Sequence, residues 1–216
     1  MAAYSPLIRR LMISSLTVVI SRALISPLLT LFLSNKLGLN PQDVGLLLGI
    51  AVFSATLLSL YGGYIIDRLD KRRLLILTML SSGIGLMLLT FAQNLYLVTL
   101  VLIISETASA LFLICSKAIL SENLPIGQRV KAFSLNYTLT NIGYAVGPMI
   151  GVVIAGIQPG APFIVAGAIA CASVFLLLGA ARKVSPITPL GQPQSFLNTL
   201  IILKNDRTMI LFTLGC

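Results

Sequence analysis

Two opposite charges stand inside apolar runs of the chain. Arg22 lies near the middle of the stretch 11–34, and Glu106 near the middle of the stretch 96–117. If each stretch is a helix rising about 1.5 Å per residue, both charges sit deep in a hydrocarbon layer about 30 Å thick. A charge at that depth costs at least about 2.5–3.5 kcal/mol on insertion scales. It persists where it is paired or faces a polar cavity. Arg22 and Glu106 are therefore expected to be either a static pair that orients two helices or a working site. In a working site the carboxylate takes up a proton or a cation and the guanidinium opposes it. Other polar residues share these runs, among them Thr17, Ser21, Ser105, Thr107 and Ser109. Most such hydroxyls bond their own backbone or a neighbouring helix.

The elements that must hold these charges are long and apolar. The chain has 216 residues, 57% of them hydrophobic and 10% charged, with mean hydropathy +1.00. A soluble domain would carry about 25% charge, so this composition points to a membrane protein. A spanning helix needs about 20 apolar residues. Six stretches qualify, over 11–34, 43–66, 74–92, 96–117, 132–157 and 161–181. Turn and cap residues separate them: Asn40-Pro41, Gln93-Asn94, Pro125 with Gly127, and Pro159-Gly160. The fold class expected is an all-α membrane protein, a six-transmembrane-helix bundle with antiparallel neighbours. Residues 182–207 have linker composition and could include an amphipathic helix. The stretch 208–216 reads as the start of a truncated seventh span.

Charge orients the chain. Of the fifteen Lys and Arg, only Lys36 falls on the side of the first-to-second loop, and Arg22 is inside a span. All the others lie at the N-terminus, in the second-to-third and fourth-to-fifth connections, and after the sixth span. By the positive-inside rule the N-terminus is cytoplasmic. The net charge of +9 is thereby explained by topology, and no nucleic-acid partner is expected. There is no histidine, and Cys115, Cys171 and Cys216 have no metal-ligand spacing. An enzyme is not expected, nor is a metal or a cofactor.

Two local patterns go further. Six of the seven residues from Asp67 to Arg73 are charged, in a short connection between two spans. In the fifth span, Gly143, Gly147 and Gly151 recur every four residues, with Pro148 among them. Small residues on one stripe let a neighbouring helix approach closely, and Pro148 removes a backbone hydrogen bond. Gly63, Asp67, Arg68, Lys71, Arg72 and Arg73 at the second-to-third connection resemble the signature of the major facilitator superfamily, except that Asp70 stands where glycine is usual. Gly143, Gly147, Pro148 and Gly151 resemble the helix 5 motif of its antiporter branch. The Arg and Gln-Gly step that family exporters often carry early in helix 4 is absent here.

The resemblance implies the N-terminal half of a twelve-helix drug or metabolite exporter that exchanges its substrate for protons by alternating access. It implies that Asp67 latches onto a helix of the other half, with the basic residues joining the contact. A carboxylate near a helix N-terminus is worth about 0.3–1 kcal/mol exposed and up to about 2 kcal/mol partly buried, enough to bias one conformation. Helices 1 and 4 of the family line the central cavity, so Arg22 and Glu106 are expected to face it. Asn136, Tyr137 and Asn141 are further candidates for its polar lining. The implied partners are the lipid bilayer, a small-molecule substrate, protons, and either a missing C-terminal half or a second copy. The implied energy source is a proton gradient, and the implied location is the bacterial inner membrane. The alternative reading is a channel or a non-transporting membrane assembly protein.

Overall fold

The computed structural model describes residues 4–62, 64, 66 and 69–181. Gly63, Asp67 and Arg68, the stretch 182–207 and the stretch 208–216 lie outside the described residues. Six helices follow one another: α1 (Pro6–Leu37), α2 (Pro41–Leu60), α3 (Lys71–Phe91), α4 (Leu95–Glu122), α5 (Ile126–Ala155) and α6 (Ala161–Ala181). All six are long and apolar enough to cross a membrane. Helix α5 begins six residues before the apolar stretch assigned from sequence, because Ile126 to Lys131 continue the helix as a polar extension.

Local chemistry sets the helix ends. Ser5, Asn40, Asp70 and Asn94 are N-caps whose side chains accept from a backbone N–H of the first turn, and Pro6 and Pro41 follow two of them. Such caps satisfy donors that have no partner within the helix. Helix α1 stops at Gly38, which takes the left-handed conformation (φ 66°, ψ 24°) that glycine adopts without steric cost. Helix α2 is interrupted at Tyr61, and helical geometry returns at Gly62, Tyr64 and Ile66.

Helix α1 packs against α5 and α6, α3 packs against α4 and α6, and α2 packs against α4. Two apolar layers result. One, at the end of the bundle that carries the basic 69–73 segment, joins Leu11, Met12, Met79, Phe112 and Ile119. The other joins Leu24, Leu33, Val44, Leu89, Leu102 and Phe163. Along α1, Arg22 falls between Val18 of the first layer and Leu24 of the second. Along α4, Glu106 falls between Leu102 and Phe112. Helix α5 is the least enclosed: its buried residues are Ala132, Gly143, Gly147 and Gly151.

At the end of the bundle away from the basic segment, Lys36 has a structural role. Its Nζ donates to the carbonyls of Leu89 and Thr90, at 2.7 and 2.6 Å, in the last turn of α3. It also lies 5.3 Å from the centre of the Phe32 ring, which stacks on Phe163. A cation at a helix C-terminus satisfies carbonyls that lack a helical partner and complements the macrodipole. Replacing Lys36 with methionine is expected to cost about 1 kcal/mol, a fall of about 2–4 °C in Tm, with arginine tolerated. Thermal unfolding in detergent checks this, and an unchanged Tm would argue against the cap.

Candidate functional site

The two membrane charges meet. Arg22 Nη2 donates to Glu106 Oε1 at 2.6 Å and to Oε2 at 2.5 Å, and the two side chains are 27% and 24% exposed. Arg22 Nη1 donates to Ser109 Oγ at 2.6 Å. Ser109 lies one turn along α4 from Ser105, whose carbonyl it reaches at 2.8 Å. Across the α3–α4 contact, Ser82 Oγ lies 2.8 Å from Ser109 Oγ. Four side chains on three helices thus form one polar cluster between the apolar layers. Charge-assisted bonds of this kind are about twice as strong as neutral ones.

The rest of α1 is held by hydroxyls and by glycines. Ser15 meets Ser116 of α4 at 3.0 Å. Ser21 donates to the Ala166 carbonyl of α6 at 2.6 Å, and Ser173 donates to Thr17 at 2.6 Å. Helix α5 also lies against α1, and its glycine stripe meets the turns of α1 before and after Arg22. A Cβ on Gly143 would lie 3.0 Å from Val19 Cγ1, one on Gly147 2.5 Å from Ala23 Cβ, and one on Gly151 1.9 Å from the Leu24 carbonyl oxygen. The glycine motif therefore sets the position of the α1 segment that carries the intramembrane arginine. Pro148 follows Gly147, off the stripe, and α5 runs through it without interruption.

Asn136 is half-buried, while Tyr137 and Asn141 are exposed. Asn136, four residues after Ala132 and seven before Gly143, falls in line with the buried face of α5, while Tyr137 and Asn141 lie off it.

At the basic end, Gly63, Asp67 and Arg68 lie outside the described residues. Lys71 is ion-paired with Glu122, joining the start of α3 to the end of α4. Its ammonium is thus engaged within this bundle. Asp70, in the position where the resemblance leads one to expect glycine, caps α3 by accepting from the Arg72 N–H at 3.0 Å. It also pairs with Arg73 at 3.5 Å, an exposed contact worth about 0–1 kcal/mol. Arg72 borders a small apolar hollow with Leu7, Leu11, Leu75 and Ile119.

Sequence reasoning passed over Ser82, Glu122 and the carbonyl partners of Lys36. Glu122 carried one available signal: it is an acid at the end of a span, in a connection otherwise basic. Ser82 carried none.

Chemically, the cluster is a neutral, half-buried ion pair.

Comparison with known proteins places this geometry. The Major Facilitator Superfamily model matches residues 11–216. The chain is 33% identical over 141 residues to the uncharacterized MFS-type transporter YdeE of Escherichia coli (strain K12), covering 65% of this chain and 36% of that protein. It is 25% identical over 146 residues to the quinolone resistance protein NorA of Staphylococcus aureus, covering 68% of this chain and 37% of that one. The crystal structure of the POT family transporter PepTSo superposes with a TM-score of 0.75 at 17% identity, over 92% of this chain and 42% of that chain. That likeness concerns the fold. The chain spans about a third of the length of the curated relatives it matches. With a six-helix bundle, a half-buried charge pair and a family model covering nearly its whole length, this chain belongs to the Major Facilitator Superfamily.

Proposed function

We propose that this chain forms the six-helix N-terminal half of a secondary active transporter that exports small molecules in exchange for protons. The observation that carries the reading is the Arg22–Glu106 pair, half-buried between α1 and α4 and still about a quarter exposed. Glu106 is the proton site and Arg22 its counter-charge. Transporters of this architecture rock two halves around a site near the membrane midplane. The second half of the cavity would come from a C-terminal six-helix unit or a second copy of this chain. Tyr137 and Asn141 add polar groups on the open side of α5, and Asn136 adds one at the edge of its packed face. Asp67, Lys71 and their neighbours bias the rocking at the cytoplasmic face. The N-terminus is cytoplasmic, and the membrane is the bacterial inner membrane.

The test uses the complete transporter in inverted membrane vesicles, with ethidium as probe. Uptake driven by a proton gradient, abolished by an uncoupler, is the expected result. Glu106→Gln is expected to lower the driven rate by at least about a hundredfold, the low end of what loss of a proton-transfer group costs. Unchanged driven uptake in that variant would remove Glu106 from coupling. Passive conductance without a gradient would favour a channel.

A further inference from the structure

The ion pair is held asymmetrically. Among the described residues, the carboxylate of Glu106 has Arg22 as its only hydrogen-bonding partner. Arg22 has a second partner, Ser109, and that hydroxyl is itself fully engaged. A hydroxyl has one proton to give and two lone pairs to accept with. Arginine can only donate, so Ser109 accepts from Nη1. Ser109 gives its own proton to the Ser105 carbonyl. The contact with Ser82 must then run from the Ser82 hydroxyl to the remaining lone pair of Ser109. Every donor and acceptor site of Ser109 is used, and the hydroxyl cannot rotate without losing a bond. Both serines are buried, at 2% and 3% exposure.

The backbone makes room for this brace. A Cβ on Gly85, one turn from Ser82, would lie 2.0 Å from Ser105 Oγ, so α3 reaches α4 closely only because glycine stands there.

We infer that Ser109, braced by Ser82, is a positioning residue that keeps the Arg22 guanidinium in place when Glu106 is neutralised. The carboxylate is the member of the pair that lets go, and the arginine is the member that stays. Protonation of Glu106 therefore replaces a neutral pair with a fixed positive charge at one point in the bundle. This rests on the proposed role of Glu106 as the proton site. The anchor itself is a property of the fold and can be tested without transport.

The experiment measures Tm of the complete protein in detergent for Ser109→Ala in three backgrounds: native, Glu106→Gln, and Arg22→Gln with Glu106→Gln. A hydrogen bond to a charged group of the usual strength corresponds to a fall of about 3–12 °C. That fall is expected in the native and the Glu106→Gln backgrounds. It is expected to shrink by about half in the double-glutamine background, where no guanidinium remains to be held and only the neutral Ser82 contact is lost. Ser109→Thr, which keeps the hydroxyl, is expected to retain the native Tm. Equal falls in all three backgrounds, or no fall in the native one, would overturn the anchor. The outcome is independent of coupling: if Glu106→Gln transports normally while the Tm pattern holds, the proton-site reading fails and the anchor stands.

Discussion

Replacing Arg22 with leucine is expected to destabilise the protein by about 3 kcal/mol or more, because it strands the Glu106 carboxylate between two apolar layers. The range for breaking a buried pair is about 3–5 kcal/mol. Glu106 keeps 24% of its side chain exposed, which places the cost near the lower bound. In a chain of this size that is a fall in Tm of about 6–12 °C. Removing both charges is expected to behave differently. Arg22→Leu combined with Glu106→Leu leaves no uncompensated charge, and replacing a whole buried pair by apolar groups is often neutral or stabilising. The double variant should therefore recover most of the lost stability while losing driven transport. Thermal unfolding of the single and double variants, beside vesicle transport, checks both halves. If the double variant is as unstable as the single one, the pair is needed for folding itself, and its persistence requires no functional explanation.

The second large effect is expected at Gly151. An added methyl there would lie 1.9 Å from the Leu24 carbonyl oxygen, which is backbone and cannot turn aside. Alanine must push α1 and α5 apart, at a cost at or above the upper end of the 1–3 kcal/mol typical of overpacking, about 3 kcal/mol. Gly45 and Gly49 of α2 provide the internal control, since nothing lies within 4 Å of a Cβ on either. Alanine at those positions is expected to gain up to about 1 kcal/mol from helix propensity. The same substitution thus carries opposite signs in α5 and α2. Equal effects in the two helices would mean that the glycine stripe is not a packing surface. The displaced segment of α1 carries Arg22, so Gly151→Ala is also expected to disturb the pair at a distance.

These two expectations draw on different kinds of information. Gly143, Gly147 and Gly151 were legible in the sequence as a stripe, because four-residue spacing on a helix is a local geometric fact. Which helix they meet was not legible. The stripe lies on Val19, Ala23 and Leu24, and this depends on how α5 is rotated and on α1 being its neighbour. The caps at Asn40 and Asn94 were also readable, since a cap acts within its own first turn. Asp70 read as a departure from a family pattern and proved to be a cap, a role that its place before a helix already permits.

Composition and apolar length settle the class of this protein, because a stretch of about 20 apolar residues has few stable environments other than a bilayer. The depth of Arg22 and Glu106 follows from the same count, as does the expectation that each needs a partner. The choice of partner is a tertiary fact. Arg22 and Glu106 are 84 positions apart, and Ser82, on a third helix, enters the cluster only because Gly85 lets α3 reach α4. Lys71 finds Glu122, 51 positions away, for the same reason: antiparallel packing sets the start of α3 beside the end of α4. Hydropathy is a sum over neighbours in the chain and is insensitive to helix rotation. A hydrogen bond made over less than 3 Å depends on little else, so only the packed bundle decides which charges meet.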